Sequence, residues 1–202
     1  MNLSGGRAVL QRAQLPSDTV EMARWLIGKL VVRTTPDGVL SGRIVETEAY
    51  PVGDAASHAY RGETPRNRAL FLRPGHAYVY VAYGVYNLLN VSSEAAGVGA
   101  GVLIRGLEPL EGVAAMQRNR GLLPLRDLTR GPGRLAAALA VDRSLDGVDL
   151  CKEGPLWLAE DNHPAGFVGT TTRIGLSQAT DRPWRFYAPG NPFVSGPKSL
   201  SR

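Results

Sequence analysis

The chain has 202 residues, enough for one large domain or two small ones, and a chain of this size buries about 70% of its unfolded surface, so folding needs no staple. At 44% hydrophobic and 20% charged it is not disordered in general, and its one cysteine, Cys151, excludes an internal disulfide and a thiolate zinc cluster. The formal net charge is +5 and the pI about 9.7; of 23 basic residues only Lys29, Lys152 and Lys198 are lysine, the rest arginine. That balance suits a polyanion such as nucleic acid, or equally a soluble surface encoded by a genome rich in G and C.

Residues 1–16 show no clear period and read as a flexible N-terminal arm. Without a stretch of signal-peptide length, and with Leu135–Val141 as the longest apolar run, the expectation is a cytoplasmic protein with no membrane partner, nucleoid-associated in a bacterium. Ser17-Asp18 offers a helix cap, Asp18 and Glu21 have capping-box spacing, and Gly28 suits the stop. Leu30–Arg33 and Val39–Tyr50 flank a Thr-Pro-Asp-Gly turn and predict a hairpin. Residues 51–77 are a long loop with a short helix near Asn67–Leu72, and a loop of that length between strong strands is a place for function. Tyr78–Ser92 alternates like a hairpin with its tip at Tyr83-Gly84. Gly101–Leu107 predicts a strand, Pro109 a helix start, and Gly131-Pro132-Gly133-Arg134 the start of another helix. Short strands follow near 156–158, 171–176 and 184–187. These elements predict one α+β domain over residues 17–202, around a curved, largely antiparallel sheet with a protruding hairpin and peripheral helices.

Several residues admit two readings. Glu46 and Glu48 share one strand face. They are a solvated face, a pair perturbing each other's protonation, or, with Asp54, a metal set that lacks the tight spacing of a strong motif. His58 lies in the long loop; a lone histidine is more often structural, and His76 and His163 have no company at all. The tyrosine strand is a packed aromatic face, or a stacking platform with a bulky wedge at its tip. Arg61, Arg66, Arg68 and Arg73 form one basic group. Arg118, Arg120, Arg126, Arg130 and Arg134 form a second, beside the amides at Gly131. Both are solvated charge or phosphate contacts. No phosphate-loop or dinucleotide fingerprint is present, so no nucleotide cofactor is expected.

Taken together, RIVETEAY at 43–50, ASH ending at His58, TPRNR at 64–68, YVYVAYGVY at 78–86, NVSS at 90–93, VLIR at 102–105, LEPLEG at 107–112 and GPGRL at 131–135 make a series. In that order the chain resembles the alkyladenine (3-methyladenine) DNA glycosylase family from about Leu15 to Ser195. The resemblance implies a single α+β domain that inserts a hairpin into the minor groove, flips a damaged purine and hydrolyses its N-glycosidic bond without cofactor or metal. It implies Glu48 as the base that deprotonates water, with Arg105 and the backbone carbonyl of Ile174 as its partners in holding that water. Tyr50 would stack on one face of the base, and His58 and Tyr80 on the other. Asn90 would obstruct the amine of guanine, Leu103 would line the wall and Tyr83 would intercalate. Arg66, Asn67, Arg68, Arg130, Gly131 and Arg134 are the expected DNA-backbone contacts. The short loop from Tyr50 to His58, Val85 and Leu88 depart from the family pattern and bear on substrate range. The partner implied is double-stranded DNA with damaged purines, met by a monomer. Two other readings remain open on residues alone: a metal-dependent nuclease using Glu46, Glu48 and Asp54, and a non-catalytic nucleic-acid-binding module.

Overall fold

The computed structural model describes residues 7–161 and 166–201. His163 lies outside the described residues.

The chain opens with α1, Thr19–Trp25, capped as expected: the Glu21 amide donates to Asp18 Oδ1 at 2.8 Å, and Gly28 turns the chain at φ 90°. The hairpin β1 (Leu30–Thr35) and β2 (Gly38–Tyr50) forms around the Pro-Asp turn. The long loop follows, with one 3-10 turn at Arg68–Phe71. The second hairpin is β3 (Ala77–Ala82) and β4 (Tyr86–Ser92), with Tyr83 and Gly84 in its tip. Then come β5 (Gly101–Glu111) and the helices α2 (Val113–Arg120), α3 (Leu125–Leu128) and α4 (Pro132–Ala138). Short strands β6 (Leu156–Ala159), β7 (Gly169–Thr171) and β8 (Arg185–Tyr187) complete the sheet.

The sheet runs β3-β4-β5-β2-β1-β6, with β8 joining β2 and β7, and its pairings are antiparallel and curl around one core, as expected for the α+β class. β2 is the spine. One edge pairs with β5, while the other changes partner, from β1 up to Arg43 to β8 at Glu46–Glu48. The register slips against β5 on both sides of Glu46. Such slips bend a strand and re-aim its side chains, and here they lie beside the two glutamates.

The core fills the space between sheet and helices. Met22 and Leu26 of the α1 region meet Ile44 of β2, Ile104 and Leu107 of β5, Met116 of α2, and Leu135 and Leu139 around α4. Each fully buried aliphatic side chain of this kind contributes about 1.5–3 kcal/mol.

Three expectations change. Pro109 does not start a helix; it lies inside β5, opposite Gly42 at a register slip. It is tolerated because β4 pairs with β5 only from Gly101 to Leu103, leaving that edge free of β4 at Pro109. The strand expected at 171–176 is at Gly169–Thr171, and residues 172–176 form a loop. The described part of the expected arm is docked. Val9 bridges Ala159, the Leu10 amide donates to the Leu158 carbonyl at 3.0 Å, and Leu10 is fully buried. Arg12 pairs with Asp149 at 2.7 Å and also donates to the Pro74 carbonyl. Among the described residues no helix is long and apolar enough to cross a membrane.

Candidate active site

β2, β3, β4 and β5, adjacent in the sheet, supply residues that line a cavity of about 500 Å³. The loop at Ile174 and the long loop at His58 and Arg66 close its sides. The seven expected residues Tyr50, His58, Tyr80, Asn90, Leu103, Arg105 and Ile174 all line it, as do Tyr78 and Leu88.

Glu48 is not on the cavity surface. It has no solvent exposure and sits behind residues that line the cavity. The Tyr50 hydroxyl donates to its Oε2 at 2.9 Å, Arg105 Nη1 approaches the same oxygen at 3.2 Å, and the Ile174 amide donates to Oε1 at 2.8 Å. Each carboxylate oxygen thus accepts one hydrogen bond, and Arg105 adds its charge beside Oε2. Ile174 meets Glu48 through its N–H, a contact separate from the task of holding water that the family resemblance implies for its carbonyl. Residues 172–176 follow β7 as a loop rather than a strand, which frees that amide from a ladder.

The charges are set by burial and by arginine. Burial works against the charge of Arg105, but Glu48 and Glu46 raise its pKa. Burial, and then the neighbouring Glu48, push the phenols of Tyr50 and Tyr80 above their ordinary value, so Tyr50 is a firm proton donor to the carboxylate. Partial burial of the His58 ring, in a residue that is exposed overall, and then the nearby Arg66 charge lower its imidazole pKa.

The aromatic wall is continuous. The rings of His58 and Tyr80 meet edge-on at 4.5 Å, and those of Tyr78 and Tyr80 stack at 5.3 Å. The His58 Nδ1 and Tyr78 hydroxyl are 3.0 Å apart, and burial takes that phenol up to about 12. Arg173 sits 4.6 Å from the ring centre of Tyr50 and 5.1 Å from that of Trp184. Its Nη2 donates to Asp54 Oδ1 at 3.0 Å and its Nη1 to the Ala49 carbonyl at 2.9 Å. Asn90 Nδ2 donates to the Tyr78 carbonyl at 3.1 Å, which fixes its side chain across the β3–β4 ladder. Tyr83, at the hairpin tip, reaches the rim of the same cavity, yet is 88% exposed and at φ 51°.

The residues expected to meet a DNA backbone divide. Arg66 and Arg68 are exposed, and Arg66 reaches the cavity rim. Arg134 is half exposed and pairs with Asp127 at 3.1 Å. Asn67 turns inward instead: it is buried, its Nδ2 donates to the carbonyls of His58 and Gly62, and its Oδ1 accepts from Thr64. It shapes the loop rather than facing outward. Arg130 donates to the carbonyls of Val194 and Gly196, and the Gly131 amide to that of Thr129.

The carboxylates a metal site would need are each engaged by arginine: Glu46 by Arg105 and Arg185, Glu48 by Arg105, Asp54 by Arg173. Among the described residues no cluster of histidine, cysteine, aspartate and glutamate could hold an ion. The solvated strand face also fails, since Glu46 and Glu48 are both fully buried. Sequence reasoning missed Arg173, Asp54 as its partner, Arg185 and Ser195. The one local signal was the adjacency of Arg173 to Ile174.

Comparison with known proteins identifies the family. The model of the methylpurine-DNA glycosylase family matches residues 13–192. A protein of Mesorhizobium japonicum named as a 3-methyladenine DNA glycosylase is 65% identical over 95% of this chain and 92% of its own length. Relatives of the same name from Paraburkholderia phytofirmans and Methanocella arvoryzae are 54% and 45% identical, over 95% and 93% of this chain and 90% and 96% of theirs. The chain therefore belongs to the methylpurine-DNA glycosylase family, whose members are DNA-binding enzymes of DNA repair.

Proposed function

We propose that the protein flips alkylated or deaminated purines, of the 3-methyladenine, 7-methylguanine, hypoxanthine and ethenoadenine class, out of duplex DNA and hydrolyses their glycosidic bond with water activated by Glu48. The observation that carries this is a fully buried carboxylate held behind the aromatic cavity by Tyr50, Arg105 and Ile174, three residues that line it. A water beside it would give a proton to the carboxylate as the water oxygen attacks C1′. The purine leaves with the bonding electrons. The negative charge behind C1′ stabilises the oxocarbenium-like sugar. Arg105, held between two carboxylates, keeps the base oriented.

Flipping costs a few kcal/mol, least for a damaged or mispaired base. Tyr83 would fill the vacated stack, and Tyr50, His58 and Tyr80 would enclose the base. Asn90 is tied to the Tyr78 carbonyl, so an amine on a normal guanine would meet a side chain that cannot move aside. A lyase step would need an amine nucleophile. None of the residues lining the cavity is a lysine, and Lys29 is paired with Glu160 at 2.7 Å. The proposed product is thus an abasic site in an unbroken strand, made by a monomer without a cofactor.

The test is a duplex carrying hypoxanthine or ethenoadenine, incubated with the protein and a chelator. The expected result is free base and an intact strand, with no adduct trapped by borohydride. Strand breaks without free base would indicate a nuclease. Binding with no product would indicate a non-catalytic module.

A further inference from the structure

Glu46 is fully buried in the same strand as Glu48, and the reaction above leaves it unused. Arg105 Nε donates to its Oε1 at 2.9 Å, and Arg185 Nε to the same oxygen at 2.7 Å. The Ser195 amide donates to Oε2 at 2.6 Å and the Ser195 hydroxyl to Oε1 at 2.9 Å. Arg185 Nη2 closes the ring at the Ser195 carbonyl, 2.7 Å away. Arg105 reaches with its other end to Glu48. One guanidinium is therefore held between two carboxylates. Glu46 grips the part of it that Glu48 does not touch.

The backbone is shaped for this contact. The register slips of β2 bring Glu46 opposite Gly106, the residue after Arg105. A Cβ at Gly106 would lie 2.8 Å from the Phe193 carbonyl oxygen and 3.3 Å from Glu46 Cβ. Only glycine lets β2, β5 and the segment at 193–195 meet this closely.

Two explanations compete. One is that the cluster only ties residues 193–195 to the sheet. Buried ion clusters are weak devices for stability, since apolar replacements of similar volume are often as stable or more so. The other is position. An arginine free to swing would carry Glu48 with it, and a displacement of about 1 Å at a reacting group costs about 100-fold in rate.

We propose that Glu46 is a positioning residue, holding Arg105 where it orients the Glu48 carboxylate and supplying the charge that lets Arg105 and Arg185 stay together behind the cavity. The assignment rests on the reading of Glu48 as the base. Burial opposes a charge on Glu46, yet Arg105, Arg185 and the Ser195 amide outweigh it and hold its pKa below the ordinary carboxylate value.

The experiment compares Glu46→Gln and Glu46→Asp, each alone and with Arg105→Ala, in full-length protein. It measures single-turnover release of hypoxanthine, affinity for a duplex with an abasic-site analogue, and thermal melting. Glu46→Gln is expected to slow release about 10–100-fold while affinity stays within about twofold. Glu46→Asp, which keeps the charge, is expected to recover part of the rate. In the Arg105→Ala background the Glu46 substitutions are expected to add little, because both act through one guanidinium. A residue that only supports the fold would lower rate, affinity and melting together and would add to Arg105→Ala. That pattern, wild-type release by Glu46→Gln, or failure of both variants to fold would overturn the proposal. Absence of released base from the wild-type protein would instead overturn the glycosylase reading, and this assignment with it.

Discussion

Glu48 in β2 and Tyr83 at the tip of the β3–β4 hairpin belong to one sheet, with β5 between them, yet Glu48 has no exposure and Tyr83 is 88% exposed. The floor of the cavity is complete in the free protein. Its carboxylates and guanidiniums are matched, and Asp54 and Arg173 stitch the loop after β2 to the loop that carries Ile174. The hairpin tip is unfinished. Tyr83 takes a left-handed backbone conformation that costs a non-glycine residue of order 1 kcal/mol or more, and it buries almost nothing in return. The difference fits the work proposed for each. Groups that act on a bond are positioned in advance, whereas a group that fills a gap in DNA gains its contacts only on binding.

The comparison breaks first at the floor. Removing one partner of a buried pair leaves a charge stranded, so Asp54→Ala is expected to lose about 3–5 kcal/mol of stability in urea unfolding, and to lose activity through misplaced Tyr50 and Ile174. A loss near zero would mean that the floor is not held by this pair. Tyr83→Ala is expected to do the reverse. The melting temperature should be unchanged, and binding to lesion-bearing duplex should weaken by about 1–3 kcal/mol by titration. An equal drop in stability would erase the contrast between the two regions.

Acid sharpens the same point. The pKa of Glu46 is lowered in the folded protein, so its stabilisation is complete above the unfolded carboxylate value and is lost as pH falls through the folded one. Glu46→Gln should therefore be less stable than wild type at neutral pH, with the gap closing in strong acid, as urea melts at the two pH values would record. A constant gap would place the loss elsewhere. The smallest effect is at the rim, where Arg66→Ala should raise the His58 midpoint in an NMR titration, because the Arg66 charge is a secondary cause of its lowering after burial. No movement would mean that burial alone sets it.

Both hairpins were legible in the sequence, because Pro-Asp-Gly and Tyr-Gly punctuate alternating apolar strands. The residues around the cavity were legible through the family resemblance, and the structure gathers all seven of the expected inner ones, with Glu48 behind them. The ion pairs beneath were not. Asp54 and Arg173 are 119 positions apart, and Glu46 and Ser195 are 149, so no local pattern links them. Pro109 misled because its usual tie to helix starts ignores an unpaired sheet edge. Asn67 misled because a polar residue among arginines looks like surface until its loop closes around it. Leu10 shows the converse: a single apolar residue without a period can still find a sheet edge to cover.

The account turns on Glu48 as the group that activates water. The most direct measurement is single-turnover release of hypoxanthine from duplex DNA by wild type and Glu48→Gln, with the DNA saturated by protein in both. The expected outcome is equal occupancy and a rate lower by about 100- to 10,000-fold in the variant. Release at the wild-type rate by Glu48→Gln would contradict it.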